Sequence, residues 1–506
     1  MKDPIRVTTL TRIWRAMRRR LSRVEWAVWL LGLPRKDGEP TERGLILVQI
    51  DGLSRTQLER ALEQGRMPFV GSLLEKEHYH NHVFYSGLPS STPAVQAELY
   101  YGERTVVPGF GFRDPRSGQL VRMFANEIAG DVEQRLQTRA EGLLEGGSSY
   151  CNIYGGGAAE VHFCATSFGW DELLRTINPL KWLLVLLLNC LMFFRVLGLM
   201  IIEFFLAIFD CIRGVFSGRR FWQELIMIPA RVMVVVLLRE LVTIGASYDT
   251  ARGLPVIHIN LLGYDEQAHR RGPSSRFAYW TLRGIDRAIK RLWRAAHRGA
   301  GREYDMWIFS DHGQEATRPY ELEHEKLVQQ AVAEIVEEYV SDVPVHESSA
   351  KRERLPTRAN WLGIGWLVRM LFGEQDMDMQ SRSSQVQTAT SGPLGFVYFL
   401  DRELKSHVGD IARRLVHEAD VPMVVLPATA TWPVRVFVRE NDYVLPRDAI
   451  QVFGAEHPFL EDVSEDLIAL AALPESGDMV LVRWTNQMQS TSFVLQNGAH
   501  AGPGIE

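Results

Sequence analysis

The chain has 506 residues, a formal net charge of -5 at pH 7 and 46% hydrophobic residues. That length is enough for about two to four domains with a large core. The negative balance argues against a general nucleic-acid-binding protein, so we expect no nucleic-acid partner. The four cysteines form no closely spaced pair of the metal-binding type, and we expect no disulfide framework.

Residues 1–43 are predicted to form a basic, amphipathic N-terminal segment. The stretch "RIWRAMRRRLSR" is strongly cationic. It could contact anionic lipid or could simply be a solvated basic helix, and both interpretations stay open. The following "VEWAVWLLGLP" carries Glu25 and has no small-residue cleavage site, so it is not typical of a signal peptide.

Three apolar runs each lead into a carboxylate: "GLILVQIDG" into Asp51, "LPVIHINLLGYDE" into Asp265 and "MWIFSDHG" into Asp311. Helical patterns such as "RTQLERALEQG" and "FAYWTLRGIDRAIKRLWRAAH" lie among them. This alternation predicts an α/β fold with a central, mostly parallel sheet. Ligands bind at the carboxyl edge of such sheets, where we place the three aspartates.

The predicted catalytic α/β domain has two parts, residues 44–175 and residues 247–506. Further strands are predicted at "LGFVYFL", "VPMVVL", "VRVFVR" and "DMVLVRW". A surface excursion with a short apolar helix is expected over residues 341–391.

The stretch "HVFYSGLPSSTPAVQAELYYG" predicts a helix that follows Thr92. Threonine is a good N-cap, and Pro93 would then occupy the first helical position. A hydroxyl at a helix N-terminus could also attack a phosphate held by the free N–H groups, provided that something lowers its pKa. The local sequence leaves both roles open.

Residues 176–246 are predicted to form an apolar helical insertion. The stretch "WLLVLLLNCLMFFRVLGLMIIEFFLAIF" is long enough to cross a bilayer. Its polar residues nevertheless fall on one stripe of a helical wheel: Lys181, Asn189, Arg195, Glu203, Asp210 and Arg213. The stripe fits a helix lying in the membrane interface or a helix that docks its polar face on protein while the rest meets lipid. A buried helical insertion or a dimer interface is the alternative, and "LIMIPARVMVVVLLRELVTIGA" predicts an amphipathic helix leading back to a strand.

Histidines accompany two of the strand-end aspartates. His269 follows Asp265 by four residues, and His312 directly follows Asp311. Carboxylate oxygen and imidazole nitrogen together suit Zn²⁺ or Mn²⁺. The number of ligands indicates two ions, which could activate a nucleophile and neutralise a phosphoryl group.

The ordered set of Asp51, Thr92, Asp265-x-x-x-His269-x-x-Gly-Pro and Asp311-His312-Gly resembles the alkaline phosphatase superfamily, most closely its type I phosphodiesterase/nucleotide pyrophosphatase branch. That family needs a further histidine, which "FVLQNGAHAGPGIE" supplies as His500. The resemblance implies an alkaline-phosphatase-like sheet with helices on both faces.

By this resemblance, Asp51, Asp311, His312 and Thr92 would bind one metal ion, and Asp265, His269 and His500 would bind the other. Thr92 would be both cap and nucleophile, forming a phospho-threonine that water hydrolyses. The family's phosphate-holding asparagine has no counterpart in "PGFGFRDP", where Arg113 is the substitute predicted to bind substrate. His500 lies close to the end of the sequence, so we expect either a frayed end around it or a sequence that is a fragment.

The sequence therefore predicts a two-metal phosphoric-ester hydrolase with two divalent ions, zinc or manganese, acting at a membrane on a phosphate ester that includes lipid-linked candidates. A phospho-alcohol transferase using the same threonine and a catalytically silent membrane scaffold are the alternatives. Basic residues flank the apolar segment at both ends, from which we expect the cytoplasmic face.

Overall fold

The computed structural model describes residues 23–35, 43–167, 187, 190–216, 221–298, 302–339, 385–484 and 490–506. The helices within these ranges are α1 (Arg23–Leu31), α2 (Arg55–Glu63), α3 (Pro68–Lys76), α4 (Thr92–Tyr101), α5 (Asn126–Gln137), α6 (Cys190–Phe216), α7 (Phe221–Arg231), α8 (Arg239–Arg252), α9 (Gly263–Arg271), α10 (Arg276–Arg298), α11 (Tyr320–His324), α12 (Val328–Glu337), α13 (Val408–His417), α14 (Ala449–Phe453) and α15 (Leu460–Ala472). A π-helical turn, Val232–Leu238, joins α7 to α8.

The strands are β1 (Gly44–Ile50), β2 (Gly111–Arg113), β3 (Leu120–Arg122), β4 (Ser148–Tyr150), β5 (Glu160–His162), β6 (Val256–Leu261), β7 (Tyr304–Phe309), β8 (Glu315–Ala316), β9 (Arg318–Pro319), β10 (Val386–Ser391), β11 (Leu394–Phe399), β12 (Met423–Leu426), β13 (Arg435–Val438), β14 (Asn441–Val444), β15 (Met479–Val482), β16 (Thr491–Ser492) and β17 (Gly498–Ala499).

The central sheet has five parallel strands in the order β5-β4-β6-β1-β7. Successive side chains of β1 enter two different cores, because side chains alternate across a strand. Ile46 and Val48 pack with α2, α3, α8 and α10, whereas Leu45 and Leu47 pack with α4 and α5. Helices therefore cover both faces, and the predicted α/β fold class is confirmed.

A second sheet of six strands has the order β10-β11-β15-β12-β13-β14 and is antiparallel throughout. Its strands also bury both faces: Val397 and Phe399 contact α12 and α13, and Phe396 and Tyr398 lie on the side of α15. The four strands predicted in this part of the sequence are β11, β12, β13 and β15. The predicted excursion falls largely on residues 340–384, outside the described residues, and its last six residues form β10.

The apolar insertion contains one helix, α6, that is long and apolar enough to cross a membrane by length and composition. Only 11% of the residues in its most apolar stretch are buried. Its exposed large hydrophobic side chains are Leu191, Phe193, Phe194, Leu197, Ile201, Ile202, Phe204, Phe205, Phe209, Ile212 and Phe216.

The polar residues of α6 contact protein. Glu203 and Asp210 are buried and both pair with Arg231, which is itself fully buried at the end of α7. Arg195 lies 3.9 Å from Glu240, whereas Arg213 is exposed. Of the two interpretations of the stripe, docking on protein is the one the structure supports for Glu203 and Asp210; Lys181 and Asn189 lie outside the described residues.

Candidate metal and phosphoryl site

The carboxyl ends of β1 and β7 bring Asp51 and Asp311 together. Gln49 of β1 is level with Phe309 of β7 in the parallel ladder, so both aspartates lie two residues beyond the same level. The side chain of Ser310 links the two loops, because its hydroxyl accepts from the Leu53 amide at 2.8 Å and donates to the His312 carbonyl at 2.7 Å. Asp51 and Asp311 are buried at this edge, as predicted.

Asp265 reaches the same edge from a helix rather than from a strand end. Strand β6 ends at Leu261, and Asp265 lies in the first turn of α9. The four-residue spacing places His269 one turn later on the same face, with its Nε2 3.1 Å from Asp265 Oδ2. Gly52 permits this approach: at φ +74° it is left-handed, and a Cβ there would clash with the Asp265 carboxylate.

His500 is held firmly near the end of the sequence. Its Nδ1 donates to the Ser90 carbonyl at 2.7 Å, and the amide of Ala501 donates to the Ser90 hydroxyl at 3.1 Å. Strand β17, immediately before it, pairs with β8. The expectation of a frayed end around His500 is therefore wrong.

Thr92 is the first residue of α4, and Ser91 is its N-cap. The prediction that Thr92 caps this helix is thus corrected by one position, with Pro93 at the second helical residue. The buried Thr92 hydroxyl instead lies 3.4 Å from His312 Nε2. Its oxygen is turned towards the carboxylate and imidazole cluster, which is the arrangement that the nucleophile interpretation requires.

A buried amide network fixes α4 on the central sheet. Gln96, one turn after Thr92, donates to Gln49 of β1 at 3.1 Å and to Asn152 at 2.9 Å. The side-chain oxygen of Gln96 accepts a hydrogen bond from the Ile153 backbone amide at 2.8 Å. Because each bond crosses between elements, this network sets where the N-terminus of α4, and hence Thr92, meets the sheet edge.

The three histidines are oriented in the same way. Nδ1 of His269 bonds to the Gly498 carbonyl at 2.8 Å, and Nδ1 of His312 bonds to the Gly313 carbonyl at 3.0 Å. His500 makes the matching bond to Ser90. A carbonyl accepts only from N–H, so each ring keeps its proton on Nδ1 and presents the Nε2 lone pair, as metal-binding histidines do.

Charge is strongly concentrated in this cluster. Burial, together with the charges of Asp311 and Asp265, raises the pKa of Asp51, and burial raises the pKa of Asp311. Burial also acts to raise the pKa of Asp265, but the charges of the cluster histidines outweigh it and lower that pKa. Burial, then the charge of His312, lowers the pKa of His500. The protein thus gathers three carboxylates and three imidazoles that shift one another's pKa values.

Two compact groups of ligand atoms occur here, each with its atoms within 4.8 Å of one another: Asp51 with Asp311 and His312, and Asp265 with His312 and His500. The first matches one predicted ligand set. In the second, His312 stands where His269 was predicted, and His269 remains beside Asp265. The rings of His312 and His500 stack at 3.7 Å, so the two groups are contiguous.

The donor set fits divalent metal ions. Both carboxylate oxygens of Asp311 and Oδ1 of Asp51 are buried without a hydrogen-bond partner among the described residues. A buried, unsatisfied carboxylate is costly, and a bound cation would remove that cost. Oxygen and imidazole nitrogen donors suit Zn²⁺ and Mn²⁺ alike.

Arg113 lies apart from these groups in its described contacts. Its guanidinium donates to Gln387 at 3.1 Å, and its amide donates to the Tyr398 hydroxyl at 3.0 Å. Its substrate-binding role stays a prediction. His258 is buried in the sheet, where it bonds to Tyr100.

Sequence reasoning missed two residues that contact the predicted ligands. The Asn260 amide, near the end of β6, donates to Asp51 Oδ2 at 2.9 Å. The Gln314 amide donates to the Asp265 carboxylate, with which it is in close contact, and to the Asp265 carbonyl at 3.2 Å. Asn260 is the second residue of "INLLGYDE", and this polar residue within an apolar run was the available signal.

Residues 248–360 match the sequence model of the type I phosphodiesterase/nucleotide pyrophosphatase family. No curated protein matches the chain. Solved structures of phosphonoacetate hydrolase from Sinorhizobium meliloti 1021 are 13% identical and cover 92% of this chain and 87% of theirs. Their TM-scores are 0.40 for the complex with phosphonoformate and 0.39 for the complex with phosphonoacetate.

The family match covers Asp265, His269, Asp311 and His312, and ends before His500. It begins after Asp51 and Thr92, whose placement beside the matched residues rests on the geometry above. The match bears out the predicted enzyme class, a phosphoester hydrolase. Over residues 248–360 the chain is therefore similar to the type I phosphodiesterase/nucleotide pyrophosphatase family, as its motifs indicated.

Proposed function

We propose that this protein is a two-metal phosphodiesterase that works at a membrane surface and uses Thr92 as its nucleophile. One observation carries the proposal: the buried Thr92 hydroxyl lies 3.4 Å from His312 Nε2, and His312 belongs to both groups of ligand atoms. A hydroxyl at the junction of two cation-binding groups is in the right place to attack a phosphorus atom bound there.

Thr92 Oγ1 would give up its proton and form a bond to phosphorus as the bond from phosphorus to the leaving oxygen breaks, and that oxygen would take up a proton to leave as the alcohol. Water would then attack the phospho-threonine, and the Thr92–phosphorus bond would break. The N-terminus of α4 supports this step, because the positive end of the helix dipole favours a negatively charged phosphoryl group. The Gln96 network holds that helix in place throughout.

Asp51, Asp311 and His312 would hold one ion, and Asp265, His500 and His269 would hold the other. When bound, such ions lower the pKa of a coordinated hydroxyl or water and neutralise phosphoryl charge. The protein's part is to present six ligands in fixed orientations. The carbonyls at Ser90, Gly313 and Gly498 orient the imidazoles, and Asn260 and Gln314 orient the carboxylates Asp51 and Asp265.

The membrane part of the proposal rests on α6. Its acidic residues Glu203 and Asp210 are buried, whereas eleven of its Leu, Ile and Phe side chains are exposed, together with Arg195 and Arg213. Soluble monomers rarely expose apolar patches larger than a few hundred Å². A helix with buried carboxylates and exposed apolar side chains suits contact with a lipid bilayer. The site would then act on a phosphodiester, including one carried by a lipid.

The nucleophile is tested by the variants Thr92→Ala and Thr92→Ser, with bis-p-nitrophenyl phosphate as the diester and p-nitrophenyl phosphate as the monoester. Thr92→Ala should lose turnover of the diester by about 10²-fold or more, because the covalent step disappears, and Thr92→Ser should keep part of it. Rapid quenching followed by mass spectrometry should find phosphate on the peptide that contains Thr92.

Ser91→Ala is the matched control. Ser91 is a neighbouring buried hydroxyl with no hydrogen-bond partner among the described residues, so its removal should leave turnover close to that of the parent. Near-normal turnover by Thr92→Ala, or equal losses in Thr92→Ala and Ser91→Ala, would remove Thr92 from the mechanism.

A further inference from the structure

Helix α9, which carries the proposed metal ligands Asp265 and His269, also contacts the apolar insertion. Asp265 and His269 of α9 face the ligand cluster. The next two residues, Arg270 and Arg271, turn to the other side and contact α6 and α7. A single turn of helix thus separates the proposed chemistry from the lipid-facing hairpin formed by α6 and α7.

Four side chains make this contact, which we call the clasp: Asp210 of α6, Glu224 of α7, and Arg270 and Arg271 of α9. Arg271 spans both carboxylates, with Nε 2.8 Å from Asp210 and Nη2 2.6 Å from Glu224. Arg270 is also in close contact with Glu224. A guanidinium group offers five N–H donors in a fixed planar arrangement, so it can bridge two carboxylates in this way.

The clasp is buried and balanced in charge. Asp210 and Glu224 are 1% and 4% exposed, and Arg270 is 6% exposed. With the adjoining Glu203–Arg231 pair, three carboxylates face three guanidinium groups. Leaving one such charge unpaired in a buried network is strongly unfavourable. The hairpin and α9 therefore form a stiff connection rather than a loose surface contact.

The same end of α9 holds the segment that leads to His500. The Asn497 amide donates to the His269 carbonyl at 2.8 Å, and the Asn497 side chain donates to the Arg270 carbonyl at 3.2 Å. The Gly498 carbonyl in turn accepts from His269 Nδ1. A displacement of α9 at the clasp would thus move two of the second site's ligands, His269 and His500.

We infer that the clasp couples the hairpin to the second metal site, so that seating the hairpin in a lipid bilayer strengthens metal binding by Asp265, His269 and His500. This inference rests on the proposed function, since it presumes both metal ions and a membrane. Asp210, Glu224, Arg270 and Arg271 are positioning residues in it. Coupling of two binding events is reciprocal, so bound metal must strengthen vesicle binding by the same factor.

Two glycines of α6 supply a matched test. A Cβ on Gly214 would lie 2.5 Å from Glu224 Oε2 and 2.8 Å from Arg271 Nη2, inside the clasp. A Cβ on Gly198 would meet nothing within 4 Å among the described residues. Gly214→Ala and Gly198→Ala are the same chemical change in the same helix, and both favour the helix intrinsically. Only the first wedges the clasp apart.

The measurement is Zn²⁺ binding by equilibrium dialysis, with and without vesicles of phosphatidylglycerol and phosphatidylcholine, alongside vesicle flotation with and without Zn²⁺. With vesicles, the parent and Gly198→Ala should bind the more weakly held Zn²⁺ about tenfold more tightly. This is the lower end of the change in metal affinity that follows when a residue supporting a metal ligand is lost. Gly214→Ala should lose most of that gain while still floating with vesicles.

A second pair of variants removes a charge instead of adding bulk. Glu224→Gln removes a carboxylate that contacts Arg270 and Arg271 of α9. Glu203→Gln removes a buried carboxylate that contacts Arg231 of α7 and Trp280 of α10 instead. Both should lower the thermal midpoint of unfolding. Only Glu224→Gln should uncouple Zn²⁺ binding from vesicle binding.

Several outcomes would overturn the inference. They are independent binding of Zn²⁺ and vesicles by the parent, equal behaviour of Gly214→Ala and Gly198→Ala, and equal uncoupling by Glu203→Gln and Glu224→Gln. The proposed function fails differently: the parent would bind no Zn²⁺, or would not float with vesicles at all.

Discussion

Replacing Phe205 by lysine tests whether the outer face of α6 meets lipid. Phe205 is 64% exposed and lies two residues after the buried Glu203. A phenylalanine that can bury about 200 Å² thus offers about 130 Å² to a bilayer, which is worth ~3 kcal/mol at ~25 cal/mol per Å². A lysine at bilayer depth adds a cost of about 3 kcal/mol, reduced where its long side chain reaches the headgroups.

Phe205→Lys should therefore lose at least about 3 kcal/mol of membrane binding, which is about a hundredfold in the partition coefficient. The assay is flotation with phosphatidylglycerol and phosphatidylcholine vesicles over a range of lipid concentrations, with turnover of bis-p-nitrophenyl phosphate measured on the same samples. Turnover of this soluble diester should stay near the parent value, because Phe205 contacts none of the proposed ligands among the described residues.

Trp307→Lys is the control, since Trp307 is 65% exposed on β7 and so matches Phe205 in size and exposure. It should float as the parent does. The membrane argument is refuted if Phe205→Lys and Trp307→Lys float equally well. If Phe205→Lys keeps flotation but converts a dimer into a monomer in light scattering, the outer face of α6 is an interface between two copies of the chain.

Two further predictions concern metal content and pH. The purified protein should hold two divalent ions by elemental analysis, and a chelator should abolish turnover of the diester. His269→Ala should lose one ion and keep the other. Loss of both ions, or of neither, would contradict the two-site assignment. Burial lowers the pKa of His258 to about 3, so as pH falls below about 6.5 the unfolded chain gains a proton that the folded chain cannot. At about pH 5 the parent should lose about 2 kcal/mol more of its free energy of unfolding than His258→Gln does, relative to about pH 7. Urea titrations measure this, and parallel declines in the two proteins would show that His258 does not titrate on unfolding.

The sheet edge could be predicted from sequence because its signals are local. The apolar runs before Asp51 and Asp311 end where the strands end, and parallel strands bring their carboxyl ends to one edge. Asp265 was placed at the correct edge by the same rule, although β6 ends at Leu261 and the residue belongs to α9. Helix boundaries shift easily by one residue, as the Ser91 cap shows.

The supporting contacts could not be predicted, because they join residues that are remote in sequence. His500 depends on the Ser90 carbonyl, 410 positions away, and nothing in "LPSST" indicates such a bond. Asn260 and Gln314 look like ordinary polar residues until the fold brings each beside an aspartate. Whether the polar stripe of α6 docks on protein or lies among headgroups was likewise undecided, because Arg231 and Trp280 lie outside that helix.

The path of the chain restricts how α6 can meet a membrane. Asp51 and Thr92 precede this helix in sequence, Asp265 and His312 follow it, and all four lie in one cluster on one body. A single crossing by α6 would separate them on opposite sides of the bilayer, so a single crossing is excluded for a chain folded in this way. The buried Glu203 and Asp210 point to the same conclusion, because both are bound to Arg231 on the helix that leads back to the catalytic body. A helix whose charged face is held along its length by protein can offer only its outer face to lipid. For the proposed membrane contact, this geometry is compatible with a helix that offers its outer face to lipid from one side of the bilayer, and not with a single crossing.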